Sequence, residues 1–264
     1  MSEQNLLDLS GRVALVTGAG QGVGAETARY LAGHGARVVV NDFVAARAEE
    51  VVAGIAASGG QAIAAQGDVT DFANVIQIVE DASAAFGPVD VLVNNAGNAG
   101  ANPREVTRKP FWEKDPAEWE AFLGVNLYGP LNCARAVLPG MIAAGNGGRL
   151  ITIISDAGRV GESGLEAYSA AKAGAAGLTR ALARSVAPHG ITANNVAIAA
   201  TRTPAIQAAT ENADLAKRIL RNYIVRRFGE PSDVAAMVTF LASNASSWIT
   251  GQTYPVNGGF SVNL

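Results

Sequence analysis

The chain has 264 residues, 49% of them hydrophobic and 16% charged, enough apolar material for a substantial core and too much for a disordered chain. A formal net charge of −3 leaves no basic footprint for nucleic acid or anionic membranes. The single cysteine, Cys133, excludes an intramolecular disulfide, and two histidines without a cysteine cluster offer no metal-site spacing, so no metal is expected.

In chain order, Met1 to Arg12 is polar and lacks the apolar core of a signal peptide. No run approaches the ~18 apolar residues of a membrane span, and a cytoplasmic protein is expected. The first predicted strand, 12–17, carries Val13-Ala14-Leu15-Val16 into Thr17-Gly-Ala-Gly-Gln-Gly-Val-Gly24, and a helix is predicted over 22–33. Strand, glycine turn, helix is a phosphate-binding arrangement. Glycine permits positive φ and close backbone approach, and a pyrophosphate is favoured at the positive end of the helix dipole. The glycines read in two registers, Gly20-x-Gly22-x-x-Ala25 or Gly18-x-x-x-Gly22-x-Gly24.

A second strand, 37–41, ends at Asp42, eighteen residues past Gly24. A carboxylate there accepts hydrogen bonds from the adenosine ribose and repels a 2′-phosphate, so NAD is expected over NADP. Neither Gln21 nor Phe43 is basic, which agrees with that choice, and the nearest cation is Arg47. Asp42 also stands where it would cap a helix starting near Val44.

Strands are further predicted at 61–65, 89–94, 149–155, 192–197 and 253–256, and helices at 44–58, 72–86, 116–144, 166–187, 204–221 and 231–243. Alternation of this kind predicts an α/β, Rossmann-like doubly wound fold: a seven-stranded parallel sheet with helices on both faces. No composition break or internal repeat divides the chain, and one domain over 1–264 is expected. Gly18, Asp42, Asp68, Asn94 and Ser155 all fall at C-terminal strand ends, the edge that carries the ligand crevice in such sheets.

The most telling chemistry lies at Ser155 and Tyr168-Ser-Ala-Ala-Lys172. Tyrosine and lysine at i and i+4 share a helix face, so the ammonium can hold the phenol in its field and lower a pKa that is otherwise about 10. A phenol so tuned exchanges a proton with an alcohol or carbonyl oxygen, while the serine hydroxyl bonds the same oxygen. Cys133, in a predicted helix, reads as packing.

Taken together, these residues resemble the short-chain dehydrogenase/reductase family in its compact single-domain type, over nearly the whole chain. Gly18, Gly22 and Gly24 match that family's TGxxxGxG loop, with Gln21 and Val23 inside it. Asp68-Val69 matches the family's adenine contact, and Asn94-Asn95-Ala96-Gly97 its NNAG segment. Asn126, Ser155, Tyr168 and Lys172 match its catalytic tetrad. Arg227-Phe-Gly-Glu-Pro231, Ile249-Thr-Gly-Gln252 and Gly258-Gly259 resemble its C-terminal signatures. The resemblance implies that Tyr168 is the acid/base and that Ser155 polarises the substrate oxygen. Lys172 would lower the tyrosine pKa and bind the nicotinamide ribose, and Asn126 would hold a water linking Lys172 to solvent. Thr201 and Thr203 match positions that contact the carboxamide. The small residues Ala170, Ala171, Ala173, Gly174 and Ala175 fall in a helix that forms subunit contacts in the family, so a homotetramer, or a homodimer, is expected.

The resemblance implies an NAD-dependent oxidoreductase interconverting a secondary alcohol and a ketone, on a hydroxyacyl thioester, a hydroxysteroid or a cyclic alcohol. The alternatives are a 3-oxoacyl reductase and a dinucleotide-binding protein without turnover. The chain departs from the pattern in three places. Ile198-Ala199 replaces the usual Pro-Gly, Asn257 stands where Asp is common, and 98–115 forms a longer loop with Arg104, Arg108, Lys109, Phe111 and Trp112. That loop borders the site, and its cations, with Arg159 and Arg202, are candidates for meeting an anionic substrate group. Residues 203–226 are expected to close over substrate as a lid.

Overall fold

A computed structural model describes residues 5–97 and 109–262. Its seven strands are β1 (Val13–Val16), β2 (Arg37–Asp42), β3 (Gln61–Gln66), β4 (Val91–Asn94), β5 (Gly148–Ser155), β6 (Ile191–Ile198) and β7 (Thr253–Val256). They form one parallel sheet in the order β3-β2-β1-β4-β5-β6-β7. The helices flanking the sheet are α1 (Gly22–Gly33), α2 (Ala45–Ala57), α3 (Phe72–Phe86), α4 (Ala117–Leu123), α5 (Gly129–Ala144), α6 (Ala157–Val160), α7 (Glu166–Val186), α8 (Gln207–Glu211), α9 (Ala213–Leu220) and α10 (Pro231–Ala242).

The apolar strands are buried on both faces because successive side chains point to opposite sides. Along β1, Ala14 and Val16 join a core with Ala28 and Leu31 of α1 and Val234, Val238 and Leu241 of α10. Val13 and Leu15 join the opposite core, with Val75 and Ile78 of α3 and Cys133, Val137 and Met141 of α5. This double burial is what the near-continuous Val, Leu and Ile runs specify. Cys133 is packing, and burial pushes its thiol up to about 12.

Starting at β1, the chain winds outward to β3, then crosses back to lay β4 on β1's other side, register Val16 to both Val40 and Val93. Beyond that switch point the helices diverge and leave a crevice above the carboxyl ends of the strands. The strand predictions agree with the structure to within two residues.

Three helix predictions need correction. The helix predicted over 116–144 contains a wider π turn at Gly124–Tyr128 between α4 and α5. Insertions of this kind are placed by tertiary contacts and leave no periodicity signal. The helix predicted over 204–221 is broken into a 3₁₀ turn (Pro204–Ile206), α8 and α9, with Asn212 ending one and capping the next through Leu215 N–H. The four-residue α6 is too short to show a period and was not anticipated.

Among the described residues, no helix is long and apolar enough to cross a membrane, and no group of three His, Cys, Asp or Glu side chains gathers at one place. Arg104 and Arg108 lie outside the described residues. Lys109, Phe111 and Trp112 are exposed. The end of their segment is anchored, since Lys114 Nζ donates to Gly164 O at 2.8 Å and to Glu166 Oε2 at 3.2 Å, and the Phe111 ring stacks on Trp119. Of the small residues on α7, Ala175 packs inward on Ile154 and Ala197, and Ala171 is buried as well; Ala170 and Ala173 are exposed.

Candidate active site

The crevice is walled on one side by the glycine turn. Gly18 and Gly22 hold positive φ, +59° and +56°, a region L-residues rarely enter. A Cβ on Gly18 would lie 2.8 Å from Ala96 Cα, and one on Gly24 would run into Asn95 Nδ2 and Gly18 O. The register is therefore the Gly18, Gly22, Gly24 one, because Gly18 and Gly24 let the turn lie directly on the strand-end segment after β4 and Gly22 holds a positive φ under Thr203. Thr17 locks the two together: its Oγ1 accepts the N–H of Asn95 at 3.0 Å and of Ala96 at 3.1 Å. Asn95 Nδ2 donates to Thr17 O and Gly18 O. Thr17 is a site-shaping residue that sequence reasoning passed over; it directly precedes the first glycine. Gln21 is the exposed residue before α1 and contributes no side-chain cap, while Val23 is buried in the core.

Asp42 ends β2 beside this turn. Its Oδ2 accepts Gly20 N–H at 3.0 Å and its Oδ1 accepts Val44 N–H at 2.9 Å, so it both braces the glycine turn and leads into α2. The strand end is held by Asn41, whose amide donates to Ala65 O and Gly67 O. Arg47 packs close to Gly20 on the same rim. Asp68 Oδ1 accepts Thr70 N–H, and Val69 is buried against Gly129. Thr203 closes over Gly22, within 3.1 Å of a Cβ placed there. Thr201 is different: its hydroxyl turns back to Ala199 O at 3.1 Å.

On the opposite wall, Ser155 ends β5, and Tyr168 and Lys172 stand on α7. Ser155 Oγ accepts Ala157 N–H at 3.1 Å, and the Ser155 side chain faces the Tyr168 phenol closely enough to pull its pKa down. Lys172 Nζ donates to Ile153 O at 2.8 Å and lies 5.8 Å from the Tyr168 ring centre. Asn126 is fully buried in the π turn, its amide donating to Phe122 O at 2.8 Å. Its Oδ1 and Lys172 Nζ converge at Gly97, lying 3.1 and 3.2 Å from a Cβ built there. All four tetrad residues, from three different elements, thus meet beside the segment that the glycine turn touches.

Electrostatics correct one expectation. Tyr168 is held above its ordinary value of 10, chiefly by burial and further by the Glu162 carboxylate, with the Ser155 hydrogen bond pulling the other way. Burial lowers Lys172 from 10.5 to about 8. The ammonium is spent on a backbone carbonyl, and at the phenol desolvation, which no spacing along the chain reports, is the largest influence.

Ile198-Ala199 also finds a physical account. Without proline, β6 runs on to Ile198, pairing with Ser155 on one side and Val256 on the other. Ala200 N–H then donates to the Tyr223 hydroxyl at 2.9 Å. Arg159 and Arg202 are both engaged, the first with Asp156 and Ser261, the second with Glu230 at 2.9 Å.

A glycine turn on a helix N-terminus, facing a half-buried Ser-Tyr pair and a buried lysine at the switch point of a parallel sheet, defines the dinucleotide-dependent oxidoreductase class. The family model described as enoyl-(acyl carrier protein) reductase matches residues 18–261. The chain is 41% identical over 254 residues to the 3-oxoacyl-[acyl-carrier-protein] reductase of Synechocystis sp., covering 95% of this chain and 97% of the other. A solved 7α-hydroxysteroid dehydrogenase complexed with NADH and 7-oxo glycochenodeoxycholic acid superposes with TM-score 0.90 at 34% identity, each chain covered completely. A gluconate 5-dehydrogenase from Burkholderia cenocepacia with NADP and tartrate superposes with TM-score 0.89 at 33% identity, covering 98% of this chain and 99% of the other. The chain is an oxidoreductase of the short-chain dehydrogenase/reductase family.

Proposed function

We propose that the protein interconverts a secondary alcohol and a ketone with NAD as its preferred nucleotide. The observation that carries the chemistry is the Ser155–Tyr168 pair held beside Lys172 and Asn126 at the crevice. Gly18, Gly22 and Gly24, with Gln21 and Val23 through their backbone, would hold the pyrophosphate. Asp42 would take the ribose, Asp68 and Val69 the adenine, Asn95, Ala96 and Gly97 the middle of the nucleotide, and Thr201 and Thr203 the nicotinamide end. The fit is supported by the positive φ of Gly18 and Gly22, a backbone region that glycine enters freely and other residues rarely. Bound there, a nicotinamide supplies a hydride acceptor or donor.

The remaining work belongs to this chain. Tyr168 carries the proton that moves to or from the substrate oxygen, and Ser155 holds that oxygen by a hydrogen bond. Raised above 10, Tyr168 is a neutral phenol at neutral pH, the form that gives a proton to a carbonyl. The name of the Synechocystis relative supports a second reading, a 3-oxoacyl reductase in which ketone reduction dominates. Lys172, with Asn126 at Gly97, would pass the proton on toward solvent. Oxidation requires the phenolate and is expected to quicken with alkaline pH.

The NAD preference rests on the Asp42 carboxylate set against the glycine turn; Arg47 on the same rim would favour a 2′-phosphate. Residues 203–226 would act as the lid, and 98–115 as the specificity loop of a single domain. A homotetramer, or a homodimer, is supported by the large apolar side chains exposed at Tyr128, Leu131 and Trp248. Turnover of secondary alcohols, hydroxysteroids and hydroxyacyl thioesters with NAD and NADP, and of the matching ketones with the reduced forms, tests the reading. Binding of dinucleotide without turnover of any of them would overturn it, and preference for NADP would overturn the cofactor choice.

A further inference from the structure

We infer that Asp156, Arg159, Asn257 and Ser261 form a positioning network that ties the turn carrying Ser155 to the end of the chain and so aims the Ser155 hydroxyl at Tyr168. The inference rests on the reading of Ser155 and Tyr168 as the reacting pair. Asp156 directly follows Ser155 and is 1% exposed. A carboxylate so buried persists only where its oxygens find donors. Oδ1 accepts from the Arg159 guanidinium, three residues on, and Oδ2 accepts from Asn257 Nδ2 at 2.6 Å, 101 residues away. Arg159 also donates to Ser261 Oγ at 2.8 Å, and Asn257 Nδ2 to Ser261 O at 2.9 Å. Asn257 Oδ1 takes the Gly259 N–H at 2.9 Å, so both ends of its amide are used.

This accounts for the unusual residue at 257. An aspartate there would face Asp156 across a hydrogen-bond distance with water excluded, and two carboxylates so placed cannot both stay ionised. The amide removes the repulsion and supplies the donor that Asp156 needs. Asp156 and Asn257 therefore belong together.

The network has a bearing on the reacting groups because the turn is seated between two supports. On one side, Gly158 lies flush on α7, where a Cβ would come 2.8 Å from Lys172 Cβ and Ala173 N. On the other, the tail holds Asp156, whose N–H donates to Ile198 O at 2.9 Å. The same tail reaches the nicotinamide side of the crevice: the Phe260 ring lies 5.3 Å from Tyr223, whose hydroxyl accepts Ala200 N–H. Release of the tail would let the Ser155 turn pivot on α7 and move its hydroxyl relative to Tyr168. Misplacement by about 1 Å costs on the order of 100-fold in rate.

Asp156→Asn, Asn257→Asp and the double swap test this, with wild type and Tyr168→Phe alongside and active sites counted by NADH fluorescence titration. Each single change is expected to lower kcat per site by about 10- to 100-fold with cofactor affinity held within about twofold. The double swap, again one carboxylate against one amide, is expected to recover at least about fivefold over the worse single. Ultraviolet difference titration of Tyr168, taken against Tyr168→Phe, gives a readout free of turnover. Loss of the aimed Ser155 hydrogen bond in Asp156→Asn should move the phenol's midpoint upward by about half a pH unit or more. Singles with wild-type kcat and an unmoved Tyr168 midpoint, or a swap equal to the product of the two losses, would overturn the network. If Asp156→Asn does not fold, Arg159→Met and Ser261→Ala carry the comparison, and unchanged kcat in both overturns it. A wild type that binds cofactor and turns over nothing counts against the oxidoreductase reading; the Tyr168 titration then judges the network by itself.

Discussion

Between Gly18 and Asp42 the crevice is built from backbone, with N–H groups, carbonyls and positive-φ glycines held by Thr17, Asn41, Asn95 and Asp42. Between Ser155 and Lys172 it is built from side chains, a half-buried phenol with a buried ammonium and a buried carboxylate, each withdrawn in part or whole from water at a cost. The first wall is stable in itself, because its polar groups are satisfied by one another. The second stores unfavourable desolvation, which the proposed proton transfer would put to use. Binding can thus be lost without chemistry, and chemistry without binding, and each wall can be probed alone.

The sharpest separation comes from Tyr168→Phe. Turnover should fall by about 1000-fold while NADH affinity measured by fluorescence stays within about threefold of wild type; near-normal turnover in folded protein removes Tyr168 from the reaction. The converse change is Gly24→Ala. Its methyl group would overlap Asn95 Nδ2 and Gly18 O, and dinucleotide binding should weaken by about 30- to 100-fold. Unchanged affinity in that titration would mean that the glycine wall is not the binding wall.

Lys172→Met tests the stored cost. The unfolded lysine keeps its proton to 10.5 and the folded one only to about 8, so the unfolded chain binds more protons between those values. Wild-type stability should therefore rise as pH climbs from 8 to 10.5. Below pH 8 the charged form is buried at a cost of about 3 kcal/mol, offset in part by the Ile153 carbonyl. Lys172→Met should accordingly be more stable than wild type by about 2 kcal/mol near pH 7 in chemical denaturation, with the gap closing above pH 10, and inactive. A less stable variant at pH 7 would show that Lys172 is a structural residue. The smallest effect is expected at the rim, where Asp42→Ala should reduce the NAD-over-NADP preference by about tenfold, read as the ratio of kcat/KM values. Arg47→Ala in that background should weaken NADP alone.

The sheet was legible because buried parallel strands are near-continuous apolar runs, and the glycine wall was legible because only glycine enters the backbone region the turn needs. Ser155, Tyr168 and Lys172 were legible by spacing along a strand end and one helix face. The π turn at Gly124–Tyr128 and the break in the helix expected over 204–221 were not, since both depend on what the segments pack against. Nor was Asn257, which made no sense until Asp156 lay beside it; the only local trace of that network was an aspartate at a strand end with an arginine three residues later.

The amino-acid order by itself determined the strands, the doubly wound sheet, the glycine turn and the candidate reacting side chains, because each depends on local conformational freedom or on a period of two or 3.6. Only the tertiary structure decided the electrostatic state of those side chains and what holds them in place. Desolvation of Tyr168 and Lys172, and the meeting of residue 156 with residue 257, arise from burial and long-range proximity, and neither is a property of any short stretch of chain.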